Sequence, residues 1–227
     1  MPEGKLIVVE GTDGSGKTTQ FNLLVERLRR EGREPETLDF PRYGEPSAYF
    51  IEKYLNGGYG TIKDTGPYRA ALFYALDRYD ASPAVWEDLR NGSLVVSNRY
   101  VGSNMGHQGS KIESAVERAE FFKWVYELEY GILGIPKPAV NVFLHVPAET
   151  AYELVAQKAD RAYLKGAKRD IHEADMDHLR RAEETYEVIV RMFPEEFLKI
   201  ECAPLGNILP PEEIHEKVWS AVEKFLQ

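Results

Sequence analysis

The chain has 227 residues, of which 43% are hydrophobic, and its 28 basic against 37 acidic side chains give a net charge of −9. Length and composition are those of a globular protein that buries a substantial core. The acidic balance argues against duplex nucleic acid or an anionic membrane as partner, because both require clustered Lys and Arg. Cys202 is the single cysteine, so an intrachain disulfide is excluded. No exported leader and no apolar run of membrane length is found, so we expect a cytoplasmic protein.

In chain order, short apolar runs predict five strands, at 6–9, 36–39, 94–97, 140–146 and 198–201. Amphipathic segments predict helices after the first strand, at 111–130, at 177–192 and at the end of the chain from about 214. This alternation is typical of a parallel sheet with helical crossovers. We therefore expect one doubly wound α/β domain over 1–227, with a five-stranded parallel sheet flanked by helices and ligands at the carboxyl ends of the strands.

A glycine-rich segment follows the first predicted strand and reads G-T-D-G-S-G-K-T over 11–18, which matches G-x-x-x-x-G-K-[ST]. Such a P-loop directs backbone N–H groups and a helix N-terminus at phosphate oxygens. We expect Lys17 to reach the β- and γ-phosphates and the Thr18 hydroxyl to bind Mg²⁺. The predicted ATP-binding residues are Gly11, Thr12, Asp13, Gly14, Ser15, Gly16, Lys17, Thr18 and Thr19. The loop by itself does not distinguish a kinase from a GTPase or a motor.

Arginines in separate segments narrow this choice. Arg42 follows the second predicted strand, Arg78 lies in a helix and Arg99 follows the third strand, whereas the chain has no N-K-x-D string for guanine. Guanidinium groups distributed in this way suit a second phosphorylated substrate that faces the first. The sequence therefore predicts phosphoryl transfer between two bound nucleotides.

Six segments in order resemble the thymidylate kinase family, whose members phosphorylate dTMP with ATP. They are E-G-T-D-G-S-G-K-T-T at 10–19, F-P-R-Y-G at 40–44, Y-A-L-D-R at 74–78, N-R-Y-V-G-S-N at 98–104, G-I-P-K-P at 134–138 and R-D-I-H-E at 169–173. The resemblance implies a P-loop fold of nucleoside monophosphate kinase type, Mg²⁺-dependent dTDP formation for dTTP synthesis, and a homodimer through helices such as 111–130. The alternatives are another nucleoside monophosphate or deoxynucleoside kinase of this fold and, less favoured, a non-enzymatic nucleotide-dependent switch.

For dTMP, the resemblance implies that Asp13 accepts a hydrogen bond from the sugar 3′-hydroxyl and that Arg42 and Arg99 hold the phosphate. Tyr74 is expected to stack on thymine, with Phe73 as the alternative. The expected dTMP site comprises Asp13, Phe40, Arg42, Tyr74, Arg78, Arg99, Ser103, Asn104, His107 and Gln108. Arg78 and Asn104 are assigned to the polar edge of the base.

A lid over about 158–173 completes the expectation, since 158–169 carries five basic side chains and one acidic one. The resemblance implies that this lid closes over ATP and excludes water. Because the P-loop has no arginine at positions 14 and 15, we expect the lid to supply it, from Arg161 or Arg169. The expected catalytic residues are Lys17, Arg42, Arg99, Arg161 and Arg169. Thr18 and Glu173 are expected at Mg²⁺, and Asn98 stands where the family has Asp, so the metal arrangement is expected to differ there.

Overall fold

A parallel five-stranded sheet forms the centre of the computed structural model, which describes residues 4–163 and 176–226, without the side chains of 158–163. The strands are β1 (Lys5–Gly11), β2 (Glu36–Asp39), β3 (Leu94–Asn98), β4 (Val140–His145) and β5 (Phe197–Glu201). They lie in the order β2-β3-β1-β4-β5, and every neighbouring pair is parallel. The predicted doubly wound α/β class and all five predicted strands are confirmed.

Eight α-helices connect or flank these strands in the described part of the chain. They are α1 (Lys17–Arg30), α2 (Tyr49–Leu55), α3 (Ile62–Arg90), α4 (Val101–Gly109), α5 (Ala115–Tyr126), α6 (Ala148–Tyr163), α7 (Met176–Met192) and α8 (Pro211–Val222). The backbone of α3 is interrupted at Gly66, whose φ of 71° is left-handed, directly before Pro67. Over the described ranges, no helix is long and apolar enough to cross a membrane.

The predicted helix over 111–130 is wrong at both ends. Its α-helical part begins at Ala115, because the Ser114 hydroxyl accepts a hydrogen bond from the Glu117 N–H at 3.4 Å and caps the first turn. Beyond Tyr126 the chain widens into a π-helix at Glu127–Ile132. The apolar periodicity is continuous through this region, so it did not reveal either change.

Both faces of the sheet are covered by apolar side chains. Leu6 and Val8 of β1 belong to a core shared with α3, α4, α5 and α7. Ile7 and Val9, on the opposite face, pack in a second core with α1 and α8. Burial on both faces explains why these strands read as continuous apolar runs.

The register brings polar residues together where three strands end. Asn98 at the end of β3 is opposite Val9 in β1 and Asp39 in β2. β1 then runs directly into the P-loop, which begins at Gly11. The carboxyl ends of parallel strands thus place the P-loop, Asp39 and Asn98 at one edge, where ligands bind in this class of fold.

Candidate active site

The P-loop is built close to its neighbours. Gly14 and Gly16 adopt left-handed φ values of 82° and 83°, which glycine adopts without strain. A Cβ atom at position 14 would lie 2.5 Å from the Ala151 carbonyl oxygen of α6. The Lys17 ammonium donates to the Thr12 carbonyl at 2.7 Å and lies 3.9 Å from the Asp13 carboxylate. The loop, its lysine and the start of α1 therefore form one compact anion-binding surface.

A cavity of about 270 Å³ lies beside the P-loop at the carboxyl edge of the sheet. All of the residues predicted for dTMP except Arg42 line it, and they are Asp13, Phe40, Tyr74, Arg78, Arg99, Ser103, Asn104, His107 and Gln108. The lining contains two hydrogen-bonded groups, Arg78 with Asn104 through Glu129 and Arg99 with Asp13. We name the parts of the cavity beside them the Arg78 end and the Arg99 end.

At the Arg78 end, a buried carboxylate organises two polar side chains. Arg78 donates through Nε and Nη2 to Glu129 at 2.5 and 2.7 Å, and both residues are at most 2% exposed. Asn104 donates through Nδ2 to Glu129 at 2.9 Å and to the Ala71 carbonyl at 3.1 Å. In the described chain, the buried Asn104 Oδ1 has no hydrogen-bond partner. An acceptor is therefore left for a ligand that carries a donor.

The structure distinguishes the two candidate aromatic residues at this end. Tyr74 lines the cavity, whereas Phe73 stacks on Phe50 with ring centroids 5.7 Å apart and contacts Tyr54 and Tyr59. Burial raises the pKa of the Tyr74 phenol well above its ordinary value, so this side chain presents a neutral ring to the cavity.

At the Arg99 end, a cation and a carboxylate are paired. Arg99 donates to the Asp13 carboxylate at 2.5 Å and to His107 Nε2 at 3.0 Å. Burial by itself would raise the pKa of the Asp13 carboxyl. The positive charge of Arg99, with smaller contributions from neighbouring groups, outweighs burial, and the pKa of Asp13 falls far below its ordinary range. Burial lowers the pKa of His107 well below its ordinary value, so the neutral imidazole accepts from Arg99 through Nε2.

Arg42 lies outside the cavity lining, in a network with α3. Its guanidinium donates to Asp77 at 3.0 Å, to Asp80 at 2.5 Å and to the Ser47 hydroxyl at 2.8 Å. Burial disfavours its charged form, but hydrogen bonds and charges from Asp80 and Asp77 raise the pKa of Arg42 above its ordinary value. The side chain is 22% exposed, so its contact with Asp80 is open to exchange with another anion.

Oxygen donors for a metal ion occur near the strand ends. Asn98 Nδ2 donates to the Asp39 carboxylate at 2.9 Å, and Asn98 Oδ1 is buried with no hydrogen-bond partner in the described chain. Thr18 is exposed at the start of α1. Hydroxyl, amide and carboxylate oxygens are ligands that suit Mg²⁺, which needs few protein ligands when substrate phosphates also bind it. The described residues hold no cluster of three or more His, Cys, Asp or Glu side chains of metal-site geometry.

Glu10 is fully buried at the end of β1 and takes part in holding α4. Its carboxylate accepts from the N–H groups of Tyr100 and Ser103 at 2.8 and 2.9 Å and from the Ser103 hydroxyl at 2.6 Å. These hydrogen bonds orient Ser103 at the cavity. They also mean that both oxygens of the Glu10 carboxylate already accept hydrogen bonds from the protein.

Several residues at the site were missed from the sequence. Tyr43, Tyr54, Tyr100 and His178 also line the cavity, and two charged residues bear on its polar groups. Glu129 could have been found from its spacing, because Phe122, Val125 and Glu129 lie on one helix face and a carboxylate on an apolar face needs a partner. Lys111 lines the cavity and donates to Gln108 at 2.6 Å and to the Tyr54 hydroxyl at 2.8 Å. Burial lowers the pKa of Lys111 to about 8, and no sequence pattern pointed to it.

The lid predictions fall on residues whose side chains lie outside the described part of the chain. These are Arg161, Arg169 and Glu173.

The chain was then compared with known proteins. The family model for thymidylate kinase matches residues 9–215. A thymidylate kinase from Mycobacterium tuberculosis is 36% identical over 183 residues, which cover 80% of this chain and 83% of that protein. One from Rhodopseudomonas palustris is 30% identical over 225 residues, covering 98% and 90%. A solved thymidylate kinase structure from Candida albicans superposes with a TM-score of 0.72 at 20% identity, over 98% of this chain and 92% of that one. The chain belongs to the thymidylate kinase family.

Proposed function

We propose that this protein is a dTMP kinase that transfers the γ-phosphoryl group of ATP to dTMP and releases dTDP and ADP. One observation carries the proposal beside family membership. A single cavity joins a buried pair suited to a pyrimidine base, Arg78 and Asn104, to an arginine beside the P-loop, Arg99. A nucleoside monophosphate bound along it extends its phosphate toward the P-loop.

The hydrogen-bonding groups at the Arg78 end match thymine. Glu129 accepts one hydrogen bond from Arg78 Nε and one from Nη2, which leaves the N–H groups of Nη1 and the second N–H of Nη2 to donate to the O4 carbonyl. Asn104 Oδ1 accepts from the N3–H of the base, and the Tyr74 ring packs against its face. Cytosine presents an amino group and an unprotonated N3 at these positions and is disfavoured, because buried polar groups are then left unpaired.

The Arg99 end serves the sugar and the phosphate. Asp13 accepts from the 3′-hydroxyl, while Arg99 and Arg42 contact the monophosphate. Arg42 Nη2 exchanges the Asp80 carboxylate for a phosphate oxygen as dTMP binds. The γ-phosphoryl group then transfers in line, and Lys17 with Arg161 or Arg169 stabilises the charge on its oxygens. Catalysis arises from positioning and electrostatic stabilisation, with no covalent intermediate on the protein.

We assign ATP to residues 11–19, within one kinase domain over 1–227 whose lid spans about 158–173. Thr18 and Glu173 would hold Mg²⁺, and Asp39 and Asn98 Oδ1 would provide further oxygen donors near the strand ends. When bound, Mg²⁺ neutralises charge on the β- and γ-phosphates.

The proposal includes a cytoplasmic homodimer. Exposed apolar side chains recur along one face of α3, at Tyr68, Leu72, Leu76 and Tyr79. This stripe supports α3 as the contact surface. The resemblance implied a contact through helices such as 111–130, but most apolar residues of that segment, such as Phe121, Phe122 and Val125, lie in the core.

A substrate panel tests the proposed function. Purified protein is incubated with MgATP and dTMP, dUMP, dCMP, UMP or dGMP, and nucleotide products are separated by chromatography. We expect dTDP as the main product. Preference for another monophosphate would support a related kinase of this fold, and ATP binding with no product from any monophosphate would support the nucleotide-dependent switch.

A further inference from the structure

We propose that Glu129 is the positioning residue that fixes which atoms of Arg78 and Asn104 donate and accept at the base, and thereby sets the preference for an imide base over cytosine. This inference rests on the proposed function. Glu129 does not belong to the cavity lining, which includes both Arg78 and Asn104, so it acts through these two side chains.

The geometry places Glu129 behind both groups. Its side chain is 0% exposed and accepts two hydrogen bonds from Arg78 and one from Asn104, at 2.5, 2.7 and 2.9 Å. The two-point contact fixes the plane of the Arg78 guanidinium group. Nη1 and the second N–H of Nη2 then remain for a ligand, and all of these groups are donors only.

The same carboxylate determines the orientation of Asn104. An asparagine amide turned by 180° exchanges its donor and its acceptor, so Asn104 alone could face either thymine or cytosine. Here Glu129 and the Ala71 carbonyl accept from Nδ2, and both are acceptors only. The turned amide would place Oδ1 against the Glu129 carboxylate and leave two buried acceptors facing each other. Glu129 thus keeps Oδ1 as the atom available to the ligand.

The local backbone explains how Glu129 reaches this position. It lies in the π-helix Glu127–Ile132 that continues α5. The segment is held by hydrogen bonds from the Leu133 N–H to the Leu128 carbonyl at 2.8 Å and from the Ile135 N–H to the Glu129 carbonyl at 3.1 Å. Single π-helical turns within α-helices recur at functional sites. A positioning role gives this turn a function beyond ending the helix.

Glu129→Gln is the direct test. The new side-chain amide can donate as well as accept, so one of the two acceptors that exclude the turned Asn104 is lost, and only the Ala71 carbonyl still opposes the orientation that suits cytosine. We expect the ratio of kcat/KM for dTMP to that for dCMP to fall by about tenfold or more. The fall should come from a higher KM for dTMP and better use of dCMP, with kcat for saturating dTMP and the KM for ATP changed less than about threefold.

Two further variants distinguish a positioning role of Glu129 from an unspecific loss of local structure. Glu196→Gln is the matched control, because Glu196 accepts from Tyr126 at the end of α5 and does not line the cavity. Its dTMP to dCMP ratio should equal that of the unmodified protein. Glu129→Asp keeps the charge that Arg78 requires but is shorter by one methylene, so it should also lower the ratio, and it decides the question if Glu129→Gln does not fold.

The outcomes distinguish this inference from the proposed function. If the unmodified protein converts dTMP and a folded Glu129 variant keeps its full preference over dCMP, the inference is wrong and the proposed function stands. An equal shift in Glu196→Gln would also overturn it. If the unmodified protein does not convert dTMP, the proposed function itself fails.

Discussion

The two ends of the cavity hold their arginines in different ways. At the Arg78 end, arginine and carboxylate are at most 2% exposed and come from helices that pack together in the core. At the Arg99 end, Arg99 and Asp13 are 23% and 20% exposed, and Arg42 contacts an Asp80 that is 62% exposed. The first arrangement is permanent, whereas the second consists of ion pairs that an incoming phosphate can replace.

This difference separates recognition from catalysis. A fully buried ion pair fixes geometry, and breaking it by removing one partner costs several kcal/mol. Partly exposed pairs contribute little to stability, so the cations near the P-loop can change partners at low cost during a catalytic cycle. Under the proposed function, part of the folded core recognises the base, and partly exposed side chains that can change partners bind the phosphates.

Removal of the buried cation at the Arg78 end should cause the largest loss of stability. Arg78→Ala leaves the Glu129 carboxylate buried without its cation, and we expect the free energy of unfolding to fall by about 3–5 kcal/mol. Urea denaturation followed by circular dichroism measures this change. A loss below about 1 kcal/mol would mean that the pair is not part of the folding core.

Arg42→Ala should have the opposite profile. Asp77 keeps hydrogen bonds from the Ser47 hydroxyl and from the backbone N–H of residue 42, so we expect a loss of only about 1–2 kcal/mol in stability. We expect kcat for dTMP to fall by about 10²–10³-fold, because charge stabilisation in the transition state is lost, while the affinity for ATP is retained. Steady-state kinetics and ATP titration test both parts. Turnover within twofold of the unmodified protein would remove Arg42 from the reaction.

Lys111 sharpens the comparison, because this cation also lines the cavity but its described hydrogen bonds are to the neutral Gln108 and Tyr54 side chains. Burial lowers its pKa to about 8 from 10.5. Between pH 8 and about 10.5 the folded protein has lost this proton while the unfolded chain still holds it. Over this range the contribution of Lys111 to the free energy of unfolding therefore increases with pH.

Lys111→Met should therefore stabilise the protein most at pH 7, by up to about 2 kcal/mol after the loss of its hydrogen bonds. The advantage should shrink as the pH approaches 10. Urea denaturation at pH 7 and pH 9.5 tests this, with the exposed Lys123→Met of α5 as the matched control. A stability difference between the Lys111 variant and the unmodified protein that is the same at both pH values would contradict the prediction.

The sequence predicted the strands and most of the cavity because each rests on a local signal. Apolar runs such as Leu94 to Ser97 identify buried strands, and a parallel sheet brings their carboxyl ends to one edge. The P-loop motif and the spacing of Tyr74 and Arg78 identified residues that the structure brings to the lining of one cavity. Of the two candidate aromatic residues, Tyr74 lines the cavity and Phe73 packs against Phe50.

Most of the remaining features depend on tertiary contacts that no local pattern specifies, although the spacing of Glu129 on an apolar helix face was a local signal. A continuous helix over 111–130 concealed the Ser114 cap and the π-helix, and with them the positions of Lys111 and Glu129. The sequence placed Arg42 beside a strand end, but the carboxylates that bind it come from the distant α3 helix. Ion-pair partners far apart in sequence are set by packing of whole elements.

The close approach of the P-loop to α6 also constrains how this protein can diverge. Position 14 has a left-handed backbone and no room for a Cβ atom, since the Ala151 carbonyl lies 2.5 Å away, and Ser15 is only 2% exposed. An arginine cannot be introduced at position 14 without moving the first turns of α6, and one at position 15 would have to displace the buried surroundings of Ser15. Under the proposed function, position 14 cannot take over the charge assigned to the 158–173 segment while α6 stays in place, so we expect the loop and this segment to evolve together.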